Sequence, residues 1–302
     1  MVRLKDIAAE AGVSVMTVSK ALRDARDISS ATKGRIRRLA DQMGYVPDTT
    51  AQGLRNRVTK LFGVVLPAMT HPVSARILMA IEEQSHELGY NVVLAHTLNL
   101  PDREEMVIRR LLSRRVDGLF ISPVYRLGSS APVYDELRRR GIPTVILGHN
   151  APFCRDFVNV ETDDLLGSFS LTRHLLDLGH RKIAFLGGPP ASPWAQERFE
   201  GYRRALREAQ LEVDDQLVFA AGSTIEEGAK AALQVLHESP HVTAIQAVND
   251  LVAIGAATTF LNQGARIPQD LSVAGYGNIL TSEHYRVPLT TVRQPKYRLG
   301  AA

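Results

Sequence analysis

The sequence predicts an α/β protein: a small head of three helices, followed by a larger core built from two doubly wound parallel sheets. Two observations carry this prediction. Apolar residues recur at helical spacing up to Gly44, and from Leu61 onward short apolar runs alternate with amphipathic segments of about 10–15 residues. A length of 302 residues also agrees with two domains at roughly 150 residues each.

Two short helices open the head. Apolar residues at helical spacing predict the first helix from Leu4, and Gly12 stops it. Ser14 is a suitable N-cap for the second helix, Val15–Leu22. Its side chains divide into an inward group, Val18, Ala21 and Leu22, and an outward group, Val15, Met16, Thr17, Ser19 and Lys20.

A third helix is predicted to begin after Ser30 or Ala31 and to end at Gly44. Two short helices joined by a glycine-containing turn, with a third helix packed across them, form the plan of a helix-turn-helix. The inward residues of the third helix are Ile36, Leu39, Ala40 and Met43, and the outward ones are Lys33, Arg35, Arg37 and Arg38.

Positive charge is concentrated in the head. Residues 1–60 hold 12 of the 36 Lys and Arg but only 6 of the 32 Asp and Glu, a net charge of +6, whereas the rest of the chain carries −2. A basic head on a slightly acidic body indicates a polyanionic partner. A charged, solubilising tail is the alternative, although a tail would lack the ordered apolar spacing.

The second helix has the features of a helix that reads DNA. The major groove admits one helix, and its N-terminal residues reach the base edges. Val15 and Met16 suit thymine methyl groups and Lys20 suits guanine, whereas Thr17, Ser19 and the arginines of the third helix suit phosphates. The alternatives are a core role for Val15 and Met16 and a solvated face for the arginines. The residues of this helix predicted to meet DNA are Ser14, Val15, Met16, Thr17, Ser19 and Lys20.

Residues 48–57 form a short polar segment that is not a stable helix in isolation. Gly53 lowers its helix propensity further, and Leu54 is its one large apolar side chain. From the residues alone, a flexible linker is the simplest interpretation.

Residues 4–22, LKDIAAEAGVSVMTVSKAL, followed by GYVP at 44–47, resemble the lactose-repressor (LacI/GalR) family of bacterial transcription regulators. The resemblance continues in the same order along nearly the whole chain, and the combination is far more specific than any one motif. The later matching segments are GHRKIA at 179–184, RFEGYRRAL at 198–206, ND at 249–250 and PLTTVRQP at 288–295.

This resemblance implies a homodimer that binds double-stranded, near-palindromic operator DNA, as a repressor rather than an activator. It implies a helix-turn-helix domain over residues 1–47 and a hinge helix and linker over 48–60. Leu54 falls where the family inserts a leucine into the minor groove, a wedge that unstacks bases and kinks the duplex. Asp48 departs from the asparagine usual there, and Arg3 from the usual threonine cap of the first helix.

The remaining residues, 61–302, are then an effector-binding core similar to periplasmic sugar-binding proteins. Its first lobe is expected at about 61–160 plus 289–302 and its second at about 161–288, with a sugar, sugar acid or nucleobase in the cleft between them. The family usually continues beyond Ala302 through another helix, so the chain is either truncated or ends early. The pattern of apolar runs itself predicts strands at 61–66, 92–96, 118–122, 144–147, 183–186, 217–219, 244–248 and 272–275.

Ligands of such folds bind beyond the carboxyl ends of the strands. Arg198 and Asn249 match family residues that contact the effector, with a surface ion pair as the alternative for Arg198. Trp194, the one tryptophan, either stacks on a sugar or base or packs at the surface. Asp163 is interpreted first as an N-cap and second as a ligand residue, and Asp250 as the cap of the following helix. Further candidates of the cleft are His71, Ser122, Tyr125 and Asn278.

Gly277 stands where the family commonly has an aspartate that accepts hydrogen bonds from the effector. Arg198 and His149 are expected near the ligand, and the aspartate that the family has at this position is missing. An anionic or sugar-acid ligand is therefore favoured. Asn278 supplying the lost contact to a neutral sugar is the alternative.

The sequence argues against catalysis and against a bound cofactor or metal. It contains no metalloprotease, nucleophile-elbow or phosphate-loop motif. The single Cys154 excludes an intramolecular disulfide and a four-cysteine zinc site. A charged start and the absence of an apolar run of about 18 residues favour a cytoplasmic protein without a membrane partner. The alternatives are a sugar- or nucleotide-processing α/β enzyme and a ligand-binding module without DNA function.

Overall fold

The computed structural model describes residues 2–46 and 58–302, within two compact units, residues 1–59 and 60–302. In the first unit the helices are α1 (Leu4–Ala11), α2 (Val15–Leu22) and α3 (Ser30–Gln42). Gly12 ends α1 with a left-handed φ of 63°, which glycine adopts at low cost. The side chain of Ser14 then accepts a hydrogen bond from the Thr17 N–H at 3.1 Å and so caps α2.

The head has a small core of its own. Ile7, Val18, Ala21 and Ile36 are fully buried where the three helices meet. Burying one large aliphatic side chain contributes about 1.5–3 kcal/mol, so these few residues matter in a unit of this size. The predicted inward face of the second helix is therefore confirmed.

The second unit contains two five-stranded sheets, each parallel throughout. The first sheet has the order β2-β1-β3-β4-β5 and the second the order β10-β9-β8-β6-β7. The strands are β1 (Leu61–Leu66), β2 (Asn91–His96), β3 (Gly118–Ile121), β4 (Thr144–Leu147), β5 (Val158–Val160), β6 (Ile183–Gly187), β7 (Val218–Ala220), β8 (Ala244–Ala247), β9 (Ser272–Gly277) and β10 (Thr290–Arg293).

Helices follow nearly every strand, as parallel pairing requires. A short 3-10 helix, Asp215–Leu217, precedes β7. The α-helices of this unit are α4 (Pro72–Glu87), α5 (Pro101–Ser113), α6 (Pro132–Arg140), α7 (Asp164–Asp177), α8 (Pro193–Glu208), α9 (Ile225–Glu238), α10 (Asp250–Asn262), α11 (Leu280–His284) and α12 (Lys296–Ala301).

The predicted α/β class with two parallel sheets is confirmed, and every predicted strand is present within one or two residues at each end. Two strands, β5 and β10, were not predicted. Both are sheet-edge strands of three and four residues. Each carries polar residues, so neither shows the apolar run that marks the buried strands.

One predicted lobe boundary is corrected by the sheet pairing. Residues from 289 onward were expected in the first lobe, but β10 pairs with β9 in the second sheet. The chain returns to the first lobe only with α12, which packs on α4. A methyl group on Gly300 would lie 2.3 Å from the Ile77 carbonyl oxygen, so glycine permits this close packing.

Close helix packing also positions the polar residues of the second lobe. A methyl group on Gly201 of α8 would lie 2.3 Å from the Leu165 carbonyl oxygen of α7. The absence of a side chain at Gly201 therefore lets α8 approach the start of α7. That approach brings Arg198 next to Asp164. Within the described ranges, 2–46 and 58–302, we find no helix with the length and apolar character needed to cross a bilayer.

Candidate functional site

The first turn of α2 presents two apolar side chains to solvent. Val15 is 45% and Met16 62% exposed, whereas Val18, one turn further, is fully buried. The alternative that places Val15 and Met16 in the head core is therefore wrong. Exposed apolar groups at the start of a helix that the head presents outward suit contact with thymine methyl groups.

The polar residues of the head form local contacts. Thr17 and Ser14 share a hydrogen bond between their hydroxyls at 2.9 Å, and the Lys20 ammonium lies 2.5 Å from the Asp27 carboxylate. That ammonium holds the pKa of Asp27 below its usual value. Both partners are well exposed, and an exposed ion pair contributes only about 0–1 kcal/mol, so Lys20 can exchange it for another partner.

The basic residues of α3 divide into two groups. Lys33 and Arg37 both pair with Asp24, and Arg35 donates to the Ala11 carbonyl oxygen at 2.9 Å. These three side chains therefore have partners within the head. Arg38 is exposed. Leu54, the predicted minor-groove wedge, lies outside the described residues.

A cavity of about 580 Å³ lies between the two lobes of the second unit. Its walls come from segments that follow the carboxyl ends of strands in both sheets, the place where open α/β sheets bind ligands. From the first lobe these include His71 after β1, Ser122 after β3 and His149 after β4. A cavity of this volume accommodates a small organic ligand.

Arg198 is buried in this cleft, and each of its three guanidinium nitrogens has a partner within the protein. Its Nε and Nη2 lie 2.8 and 2.7 Å from Oδ1 of Asp164, and its Nη1 donates to the Val248 carbonyl oxygen at 2.7 Å. Burial raises the pKa of Asp164, but the charge of Arg198 and the hydrogen bonds from His149 and Arg198 outweigh burial and lower it. The surface ion pair that was the alternative for Arg198 is not observed, because the partner of Arg198 is the buried carboxylate of Asp164.

Two aromatic rings lie close to this guanidinium. Its Cζ lies 3.7 Å from the ring centre of Tyr276 and 4.8 Å from that of Trp194. Both rings also line the cavity. Cation–π contacts of this kind add to the stability of the buried cation and fix its plane.

His149 joins the two lobes. It follows β4 of the first lobe, and its Nε2 lies 2.8 Å from Oδ2 of Asp164, which begins α7 of the second lobe. Its Nδ1 lies 2.9 Å from Glu161, and Glu197 of α8 approaches Nε2 at 3.6 Å. Burial lowers the pKa of His149, but the hydrogen bond to Asp164 and the surrounding carboxylates outweigh burial and raise it.

The structure brings most of the predicted ligand residues to the cavity and excludes two. Asp163 is exposed and its carboxylate caps α7 by accepting from the Leu166 N–H at 2.8 Å, which agrees with its first interpretation. Asn278 is used through its backbone, since its carbonyl oxygen accepts from Lys296 and its N–H donates to Thr291. Neither lines the cavity. The predicted residues that do are His71, Ser122, Tyr125, Trp194, Arg198 and Asn249.

The helix cap expected of Asp250 is made by its neighbour Asn249 instead. Oδ1 of Asn249 accepts from the Val252 N–H at 2.8 Å and caps α10, although Asn249 also lines the cavity. Asp250 instead accepts hydrogen bonds from the Ile279 N–H at 2.8 Å and the Thr291 hydroxyl at 2.5 Å. A side chain on Gly275 would collide with this carboxylate, at 2.3 Å from its Oδ1, and Gly277 also lies against it.

Sequence reasoning missed Asp164, Asp250 and Tyr276 as residues of the cavity. Tyr276 and Asp250 lie at or just after the end of a strand, where residues that contact a ligand are expected in such folds. The family resemblance gave that role to neighbouring residues instead. No sequence signal placed His149 against Asp164 and Glu197, because the three lie on different elements in two lobes.

Two family models match the chain. Residues 3–48 match the model described as "Bacterial regulatory proteins, lacI family", and residues 59–302 match "Periplasmic binding proteins and sugar binding domain of LacI family". The second match alone spans well over half of the chain.

Relatives and solved structures agree over nearly the full length. The chain is 31% identical to the HTH-type transcriptional repressor PurR of Vibrio atlanticus (strain LGP32), covering 99% of this chain and 89% of the relative. It is 30% identical to the HTH-type transcriptional repressor CytR of Escherichia coli (strain K12), covering 98% and 86%.

Among solved structures, the lac repressor dimer bound to operator and the anti-inducer ONPF matches with a TM-score of 0.88 at 28% identity. That match covers 99% of this chain and 89% of the other. A complex of the transcriptional regulator CelR with cellobiose matches with a TM-score of 0.74 at 29% identity, covering 100% and 90%. With a helix-turn-helix head, a two-lobed core and these relatives, the chain belongs to the LacI family of DNA-binding transcriptional regulators and is not an enzyme.

Proposed function

We propose that this regulator binds a palindromic operator as a homodimer in the cytoplasm and that a neutral, hydroxyl-rich metabolite in the cleft controls its affinity for DNA. The two α2 helices of a dimer would read the two half-sites, so the symmetry of the operator would match that of the protein. Relatives named as repressors favour repression as the outcome of binding.

In α2, Val15 and Met16 are the proposed base contacts. Lys20 is proposed to exchange Asp27 for a guanine or a phosphate. Ser14, Thr17 and Ser19 are proposed to contact phosphates and position the helix, since phosphate contacts fix the register but carry no sequence information. Leu54 remains the proposed wedge in the minor groove.

The single observation that carries the ligand class is the pairing of Arg198 with Asp164. An anionic ligand would need a cation whose charge is not already balanced, but the guanidinium of Arg198 is paired with the carboxylate of Asp164 and also donates to the Val248 carbonyl oxygen. Two more carboxylates, those of Glu161 and Asp250, also line the cavity. The cleft therefore favours a neutral ligand, and the sugar acid favoured by the sequence is not supported.

The remaining lining groups suit a sugar. The ring of Trp194 offers an apolar face against which a pyranose can stack. Asn249, Ser122, His71 and Tyr125 surround the cavity with donors and acceptors for hydroxyl groups. The bound cellobiose of the related CelR supports the same class. A nucleobase is the competing ligand, because Trp194 would stack on a base equally well.

Control of DNA binding is proposed to act through the relation of the two lobes. His149 from the first lobe contacts Asp164 from the second at the cavity wall, so a ligand that shifts either residue changes the contact between lobes. A coupling between two sites is typically about 1–3 kcal/mol and reciprocal, so the operator must change ligand affinity by the same factor.

In vitro selection of bound duplexes, repeated with neutral sugars, sugar acids and nucleobases, tests this proposal. We expect an enriched palindrome whose retention responds to a neutral sugar and not to the matching sugar acid. Response to a sugar acid or to a base alone would reject the ligand class, and enrichment of no sequence would reject operator recognition.

A further inference from the structure

Three metal-binding side chains converge at the wall of the cleft. Nε2 of His149, Oδ2 of Asp164 and Oε2 of Glu197 lie within 4.8 Å of one another. His149 belongs to the first lobe. Asp164 begins α7 and Glu197 lies within α8, and both helices belong to the second lobe. Zinc bonds of about 2.0–2.2 Å place the ligand atoms of a tetrahedral site roughly 3.3–3.5 Å apart. The 3.6 Å between His149 Nε2 and Glu197 Oε2 is close to that value, whereas the 2.8 Å between Nε2 and Asp164 Oδ2 is a hydrogen-bond distance that would lengthen when both atoms bind one ion.

The groups around these three side chains orient them as ligands. Nδ1 of His149 faces the carboxylate of Glu161 at 2.9 Å, which fixes the ring and leaves Nε2 directed at the other two groups. Metal-bound histidines almost always have such a carboxylate or carbonyl partner on the second nitrogen. Oδ1 of Asp164 accepts from Arg198, so the ligand atom would be Oδ2, which faces His149 and also accepts a hydrogen bond from the Thr162 hydroxyl at 3.3 Å.

The charges at this cluster also favour a divalent cation. Three carboxylates, those of Glu161, Asp164 and Glu197, face one arginine, Arg198, and one histidine. With a neutral imidazole the net charge is −2, which one divalent ion cancels.

We propose that His149, Asp164 and Glu197 form a binding site for a divalent transition metal of the zinc class. Three protein ligands leave at least one coordination position for water or for an oxygen of a bound molecule. Because the ligands come from both lobes, the metal would hold the lobes in one relative position. Because His149 and Asp164 also line the cavity, the metal would act beside the effector.

The test is direct metal binding by the purified full chain, without DNA or effector. Zn²⁺ is titrated in competition with a chromogenic chelator, and Co²⁺ is titrated for the intense visible absorption of a tetrahedral site. We expect one site per chain. Glu197→Gln should weaken Zn²⁺ binding at least 10-fold, and Glu161→Gln about 10-fold or more through the orientation of His149.

Glu200→Gln provides the matched control, because Glu200 lies on the same helix but pairs with Arg203 and Arg207. It should bind Zn²⁺ like the original chain. Since Glu197 is partly exposed, Glu197→Gln should fold even if His149→Gln does not. Equal Zn²⁺ affinity in Glu197→Gln and Glu200→Gln, or no stoichiometric binding at all, would overturn the proposal. The response to a sugar is measured separately, so its failure would not be confused with failure of the metal site.

Discussion

The guanidinium of Arg198 and the carboxylate of Asp164 form a buried ion pair, with Nε and Nη2 at 2.8 and 2.7 Å from the same carboxylate oxygen. Both side chains are less than a tenth exposed. Arg198 is thus a structural residue of the second lobe as well as a wall of the cleft. A substitution of Arg198 therefore tests stability and ligand binding together.

Arg198→Ala is expected to lower the free energy of unfolding by about 3–5 kcal/mol, because it leaves the Asp164 carboxylate buried without its partner. The double variant Arg198→Met with Asp164→Leu should recover much of that loss, since neither charge is then buried. Urea denaturation of Arg198→Met, Asp164→Leu and the double variant measures the coupling. Additive effects would show that the pair contributes no interaction of its own.

Trp194 gives a direct signal for the ligand. It is the one tryptophan of the chain and lines the cavity beside Arg198. We expect its fluorescence to change when the effector binds, and Trp194→Ala to weaken effector binding about 10-fold through loss of stacking area. Trp194→Phe, which keeps an aromatic face, should lose less. An unchanged spectrum in the presence of a ligand that alters DNA binding would place that ligand elsewhere.

Val15 and Met16 are expected to carry sequence discrimination. Replacing both by Ala should cost about 1–3 kcal/mol in operator binding, since apolar contacts with thymine methyl groups are lost. Binding to unrelated DNA should change little, because it depends on phosphate contacts. Fluorescence anisotropy on operator and scrambled duplexes measures both. Met79→Ala, an exposed methionine on α4, is the control, and an equal loss on both duplexes would argue against base reading by α2.

Glu104 is a buried carboxylate that organises the first lobe. It is fully buried on α5 and accepts from the Val124 N–H at 2.7 Å and the Tyr134 hydroxyl at 2.8 Å, and it pairs with Arg126. Glu104→Ala should lower the free energy of unfolding by about 3–5 kcal/mol, because three donors lose their acceptor. Thermal or urea unfolding measures this loss.

Glu105→Ala, the adjacent substitution, should change stability by no more than about 1 kcal/mol, since Glu105 pairs with the exposed Arg109 at the surface. A small effect of Glu104→Ala, similar to that of Glu105→Ala, would show that the buried network is not a determinant of stability.

The sequence predicted the layers of the fold better than the roles of single residues. Apolar strands such as β1 and β6 could be predicted, because burial on both faces of a sheet requires an apolar run. The short edge strands β5 and β10 were not, because half of each faces outward and their pairing is set by the rest of the sheet.

Roles within the cleft depended on contacts that no local pattern encodes. Asn249 and Asp250 are adjacent, and either can cap a helix, so only the placement of Ile279 and Thr291 decides that Asp250 turns toward them. In the same way, the sequence predicted Arg198 as a residue of the cleft but not its pairing with Asp164. That pairing depends on the close packing of α8 on α7 at Gly201.

The central claim is that α2 recognises the operator while the cleft controls the response to the ligand. It is tested most directly by measuring operator affinity for three variants of the chain, each in two conditions. The selected operator is titrated by anisotropy with the original chain, with Val15→Ala/Met16→Ala and with Trp194→Ala, each with and without the responding sugar. The account predicts that the α2 variant loses operator affinity but keeps the ratio of affinities with and without sugar. At a sugar concentration that only just saturates the original chain, Trp194→Ala should keep the basal affinity and lose most of that ratio. The account would be contradicted if the cleft variant lowered the basal operator affinity but kept the full ratio of affinities with and without sugar. It would also be contradicted if the α2 variant abolished only that ratio.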